Sequence, residues 1–209
     1  MAPAGNDLVA GTMPHAIFVE TNIDGRGQVG AYAAELPGCA VFAPTDDEAT
    51  STMPRRVSRF TAWLRASGES QPDFVGDNWY EVERAAAPEG GRAAFTLDEL
   101  PPSDAEFATW MRWMELAREE LADALDGGDP SAAADLLDAI ERQDVAFVRD
   151  LGGGAPELTV DAIDRLYAAR DALTDALSAA GPYQDGVRRM LRLAIADDLR
   201  AAEALRPSA

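Results

Sequence analysis

The chain has 209 residues, enough for one large domain or two small ones with a real core. Its 47% hydrophobic and 26% charged residues are ordinary for a globular protein, but its net charge of -19 is not. A surface this negative repels phosphate backbones and anionic headgroups, which argues against nucleic acid and membrane as partners.

All 18 basic residues are Arg. A GC-rich genome accounts for the missing Lys, and an acidic surface adapted to salt is the alternative. The densest basic groups, Arg55-Arg56-Arg59 and Arg188-Arg189-Arg192, lack interleaved aromatics and read as solvated helix faces. The single Cys39 excludes an intramolecular disulfide and a multi-cysteine metal site. No leader-like stretch or membrane-length apolar run is visible, so a cytoplasmic protein is expected.

Residues 1–12 are small and polar and read as a disordered tail. Ala16-Ile17-Phe18-Val19-Glu20 suits a strand, Asp24-Gly25-Arg26-Gly27 a turn and Val29–Ala33 the second strand of a hairpin. Leu36-Pro37-Gly38-Cys39 is a turn before the short strand Ala40–Ala43. Thr45-Asp46-Asp47-Glu48 has the form of a capping box and opens a helix with the apolar stripe Met53, Val57, Phe60 and Leu64. Pro54 must kink this helix or mark the first turn of a second segment. Strands follow near Trp79–Arg84 and at Arg92–Phe95. The N-terminal half, 13–99, is thus an α+β unit of order β-β-β-α-β.

From Ser103, the head of a second capping box, the period is helical to about residue 206. Helix A carries Trp110, Met114 and Leu121 and stops at Gly127-Gly128. Helix B starts at Asp129-Pro130, carries Leu137, Ile140 and Phe147 and stops at Gly152-Gly153-Gly154. Helix C is capped by Thr159, carries Leu166, Leu173 and Leu177 and ends at Gly181-Pro182. Helix D carries Val187, Met190, Leu191, Ala194, Ile195 and Leu199. Four such helices of roughly 30 Å with short or modest loops predict an antiparallel four-helix bundle over 103–206.

One layer of charge interrupts these stripes. Arg118 on helix A, Asp144 on B, Arg170 on C and Asp198 on D each fall on the apolar face near mid-helix. Buried charges must pair, reach water or bind something. A structural ion network or snorkelling side chains is one reading. The other is a polar pocket in which Arg118 and Arg170 hold the carboxylate or phosphate of a small anionic ligand, with Asp144 and Asp198 beside them.

Other residues carry weaker signals. His15, the lone histidine, is expected to be exposed, with no nucleophile or acid at triad spacing. Cys39 reads as a packed side chain. Of Trp79-Tyr80, one ring belongs in a core and the other outside. Trp113 lies off the stripe of helix A and is suited to an inter-domain contact or a dimer interface. Gly152-Gly153-Gly154 has no following Lys-Ser/Thr and is a linker, not a phosphate loop.

The strand, the Asp24-Gly25 turn, Leu36-Pro37-Gly38-Cys39, the helix start Thr45-Asp46-Asp47-Glu48-Ala49 and its end Trp63-Leu64 together resemble the HicB-like family. That resemblance implies a small α+β fold and antitoxins that cap a small RNA-cleaving toxin. Residues 103–206, above all Arg188-Arg189-Met190-Leu191-Arg192 through Asp197-Asp198-Leu199, resemble a divergent DinB-like bundle. Metal-binding DinB-like members carry one His on the second helix and two on the fourth. Those positions fall near Ala139, Leu193 and Asp197, of which only Asp197 could ligate. The resemblance implies metal-dependent transfer of a low-molecular-weight thiol, or no known chemistry where the triad is missing. Zn²⁺, Ni²⁺ or Fe²⁺ would want imidazole or thiolate ligands, and the bundle has neither. A carboxylate site for Mg²⁺ or Mn²⁺ stays open.

The leading expectation is a non-catalytic binding or assembly protein, homo-oligomeric, with no cofactor, no metal and no catalytic residues. The alternatives are a DinB-like small-molecule or thiol transferase using a non-His site, and a HicB-like antitoxin-type regulator of a basic toxin.

Overall fold

The structure is a computed structural model, and it describes residues 15–23, 25, 27–70, 79–154, 156 and 161–206. The expected tail at 1–12 and the expected cap Thr159 lie outside the described residues.

The N-terminal half forms a four-stranded mixed sheet of order β3-β2-β1-β4, from β1 His15–Ile23, β2 Gln28–Ala33, β3 Ala40–Ala43 and β4 Trp79–Ala86. β1 and β2 are an antiparallel hairpin with Phe18 opposite Tyr32, and β3 pairs antiparallel to β2 with Ala40 opposite Tyr32. The β2–β3 turn is closed by the Cys39 amide donating to the Leu36 carbonyl at 2.9 Å. Gly38 is obligatory there: its φ is +86°, and a Cβ would lie 2.1 Å from Cγ2 of Ile195.

Helix α1, Asp46–Ala66, then carries the chain across the sheet to β4, which runs parallel to β1. Thr45 caps α1 by accepting from the Glu48 amide at 3.3 Å. Pro54 sits inside this one continuous helix, so it does not start a second segment. All four residues of the expected α1 stripe are buried. The expected strand at Arg92–Phe95 does not form. That segment is extended but bonds to side chains instead of a sheet edge, and it leads into a 3-10 turn at Thr96–Glu99.

The helical half consists of α2 Asp104–Gly127, a 3-10 turn Pro130–Ala133, α3 Ala134–Asp150, α4 Ala162–Ala180 and α5 Val187–Leu205. Ser103 and Glu106 form the reciprocal capping box of α2, and Asp161 caps α4. Asp129 caps the 3-10 turn, so α3 proper begins a turn later than Pro130 predicts.

The bundle is not up-down-up-down. Along α2 and α5, Arg188 stacks on Trp110, Asp198 meets Arg118 and Gly128 approaches Leu205, so these two helices run parallel. Along α3 and α4, Arg165 meets Glu141, Arg170 meets Asp144 and Gly153 approaches Ala176, so they too run parallel. The start of α3 packs with the ends of α2 and α5 around Leu121, Leu137, Leu166 and Leu205. The order is therefore up-down-down-up. The 17 residues of α3 rise about 25 Å at ~1.5 Å each.

The two halves share one core. Sheet residues Ile17, Val19 and Ala31, α1 residues Met53 and Phe60, and bundle residues Trp110, Trp113, Leu191 and Ile195 belong to a single buried cluster. Trp113 belongs to this contact, its ring edge-on to Phe60 at 5.8 Å between centroids. The opposite sheet face, with Phe18, Tyr32 and Ala40, is covered by Ala93, Phe95 and Ala196. A sheet covered on both faces explains why β1 and β2 read as apolar runs without clean alternation. It also explains α5. With the bundle on one side and the sheet half on the other, α5 buries Arg192, Leu193, Ala196 and Asp197 as well as its expected stripe.

Candidate functional site

Arg118, Asp144, Arg170 and Asp198 meet inside the bundle. Arg118 donates to both Asp198 oxygens, Nε at 3.1 Å and Nη2 at 3.0 Å, and its Nη2 reaches Asp144 Oδ2 at 3.4 Å. Arg170 donates from Nε to Asp144 Oδ2 at 2.9 Å and from Nη2 to Asp198 Oδ1 at 3.3 Å. Asp144 and Asp198 are fully buried, and Arg118, the most accessible of the four, is 9% exposed. Two cations and two anions make the layer neutral, and each guanidinium is taken up by carboxylates of the same layer. The polar atoms left over are Asp144 Oδ1 and Arg170 Nη1, both buried without a hydrogen-bond partner.

The electrostatics follow from this packing. Burial lifts the Asp144 carboxyl above the ordinary aspartate range, against the pull of Arg170 and Arg118. Burial also lowers Arg118, which Asp198 only partly offsets and Arg170 aggravates. Arg170 suffers the same burial, but Asp144 and Asp198 outweigh it and raise its pKa. Both guanidinium groups stay charged at neutral pH.

A second network, which the sequence reading did not find, lies between the sheet and α5. Arg92 grips Asp197 through Nη1 at 2.7 Å to each oxygen and reaches Glu20 through Nε at 3.2 and 3.3 Å and Nη2 at 3.1 Å. Tyr32 donates its hydroxyl to Glu20 at 2.7 Å and accepts from Arg92, and the Ala93 amide donates to Glu20. Gln143 of α3 donates to Asp197 at 3.0 Å. Beside it Arg192 binds Asp98 at 2.6 and 3.2 Å and lies over the rings of Tyr32 and Phe95. Burial opposes the Arg92 charge, but Asp197, Tyr32 and Glu20 hold its pKa well above the ordinary value. Burial drives the Tyr32 phenol upward, so it stays a donor. Adjacent Asp197 and Asp198 join the two networks through α5. Glu20 carried a readable signal: it lies two residues after Phe18 on the same face of β1.

The basic run Arg188-Arg189-Arg192 is not a solvated face. Arg192 is buried, Arg189 donates to the Arg92 carbonyl at 2.6 Å, and Arg188 stacks on Trp110 and donates to the Leu100 carbonyl at 3.0 Å.

The positions matched to a DinB-like metal triad do not form a site. Ala139 is exposed, Leu193 is fully buried, and Asp197 is held by Arg92 and Gln143. Among the described residues no group of three or more His, Cys, Asp or Glu is placed to hold a metal ion. His15 is half-buried at the start of β1, its ring 4.7 Å from that of Trp79, so the expectation of an exposed His is corrected. Trp79 is half-buried and its neighbour Tyr80 is 46% exposed. Cys39 is fully buried, and burial pushes its thiol up to about 12, which leaves no thiolate at neutral pH. No described helix is long and apolar enough to cross a membrane.

Comparisons of the chain with protein-family models, with curated proteins and with solved structures found no match in any of the three.

Proposed function

We propose that this chain is a non-catalytic binding protein: a HicB-like sheet module fused to a DinB-like bundle whose metal site is replaced by internal ion pairing. The observation that carries this reading is the Arg92–Asp197 pair, with Nη1 at 2.7 Å from both carboxylate oxygens. Asp197 is the single triad-equivalent residue able to ligate, and its oxygens are already engaged by a guanidinium and by Gln143. A divalent cation there would have to displace the partly buried Arg92 and face its charge. The other groups of nucleophilic or basic type support the same reading, since Cys39 is a buried neutral thiol and the His15 ring is packed on Trp79.

Binding rather than assembly through strands is what the geometry favours. Edge strand β3 has four residues, and edge strand β4 is bulged past Val82 and carries Glu81, Glu83 and Arg84. Short, bulged and charged edges resist pairing with another chain.

Elemental analysis of protein expressed with added Zn²⁺, Ni²⁺ and Mn²⁺ tests the proposal. Metal far below one ion per chain is expected. Stoichiometric metal that disappears in Asp197→Asn would overturn it and favour the transferase alternative.

A further inference from the structure

The proposed binding function needs a ligand, and the bundle layer is closed on itself. A different place in the fold offers one. A cleft of about 270 Å³ opens between α1, the β3 edge and the second half of α5. Arg55, Arg56 and Arg59 enter it from α1 and Arg200 enters from α5, while Glu203 supplies one carboxylate of the lining. Among the described lining residues four guanidinium groups thus face one carboxylate, in a chain whose net charge is -19.

These arginines are not placed there to build the core. Arg55 and Arg59 are exposed, and neither makes an ion pair with a described residue. The other two are held in position. The Arg56 side chain is only 10% exposed and pairs with Glu203, and its Nε is buried without a hydrogen-bond partner. Arg200 lies 4.3 Å above the Phe42 ring and donates to Gln28 Oε1 at 2.5 Å. The cleft therefore has two oriented guanidinium groups and two exposed ones, with Val41 and Phe42 as its apolar lining.

Four guanidinium groups repel one another unless an anion lies among them. Arg forks fit carboxylate and phosphate oxygens in pairs. We propose that this cleft binds a small, multiply charged oxyanion carrying phosphate or carboxylate groups. Glu203 acts as the tethered anion that occupies Arg56 in the free protein. The volume, near the lower end of small-molecule sites, suits a compact molecule and not a folded partner. The excess charge of the rest of the chain repels a long polyanion. This inference deepens the proposed binding function and rests on it.

Calorimetric titration of the full chain at low salt with pyrophosphate and with citrate tests the site. One-to-one binding that weakens as salt rises is expected, and the stronger of the two probes identifies phosphate or carboxylate as the preferred group. Arg55→Gln/Arg59→Gln changes exposed residues only and should leave the circular dichroism and melting of the protein intact. It should weaken binding about tenfold or more, because each charge-assisted bond lost is worth roughly that factor. Glu203→Gln should tighten binding by removing the competitor. No saturable binding of either probe overturns the proposal, as does equal affinity in the double variant or weaker binding in Glu203→Gln. Capture of a single-stranded oligonucleotide in place of both small probes overturns it too. Phosphate released from pyrophosphate during titration would leave the cleft standing and refute the non-catalytic reading, so the two failures are distinguishable.

Discussion

Arg118→Met tests the charged layer most directly. The substitution removes two hydrogen bonds to Asp198 at 3.1 and 3.0 Å, one to Asp144 at 3.4 Å and one to the Leu166 carbonyl at 3.4 Å. Asp198, fully buried, keeps Arg170 Nη2 at 3.3 Å as its remaining partner in the layer. A neutral layer becomes one with an excess negative charge inside the bundle. Leaving such a charge uncompensated costs about 3–5 kcal/mol. That is a large share of a typical stability of about 5–15 kcal/mol. At roughly 2–4 °C per kcal/mol for a chain of this size, melting should fall by about 6–20 °C. Urea denaturation followed by circular dichroism reads the cost. The paired change Arg118→Met/Asp198→Leu removes one cation and one anion and keeps the Arg170–Asp144 bond at 2.9 Å. Neutral apolar replacements of buried pairs are often tolerated, so the double variant should recover to within about 1 kcal/mol of the parent. A cost below about 1 kcal/mol for Arg118→Met alone would refute the closed-network account. So would a double variant that loses the sum of the two single changes.

Two further outcomes follow from the same geometry. Gly38→Ala forces a positive φ on a residue with a Cβ and drives that Cβ to 2.1 Å from Ile195, so it should destabilise by more than about 2 kcal/mol; a neutral result in the same urea assay would show that the turn and α5 separate easily. Asp144 has a raised pKa, because burial outweighs its arginines. Its contribution to stability is therefore full below the unfolded aspartate value near ~3.9 and is lost as pH rises through the folded value. Carbon-detected NMR should show the Asp144 carboxyl titrating above the ordinary aspartate value, and Asp144→Asn should flatten that part of the pH–stability curve. A midpoint at or below the ordinary value would remove the desolvation argument.

Much of the local structure was legible from the chain. The hairpin, the Leu36–Cys39 turn, the α1 stripe and the capping box at Ser103 follow from turn chemistry and period, and each depends on residues close in sequence. The same helical spacing placed Arg118, Asp144, Arg170 and Asp198 on inward faces, and a neutral set of buried charges has strong reason to meet. Arg92–Phe95 misled because its apolar and extended character serves as a cover over the sheet, with its amides bonded to Glu20 and Asp98.

The direction of each helix and the partner on its second face were beyond the sequence. Periodicity reports which side of an element is apolar, not which way its neighbour runs, so up-down-up-down and up-down-down-up bundles share one pattern. α5 shows the consequence. Its stripe was readable, but Arg192 read as part of a solvated face and Asp197 as a possible metal ligand, until the sheet half packed over them and supplied Asp98 and Arg92. The arginine cleft is similar: Arg55, Arg56 and Arg59 form one helical turn in the sequence, and only the fold adds Arg200, Phe42 and Glu203 around them. Local spacing determined what each helix would bury, and long-range packing decided what each buried charge would meet.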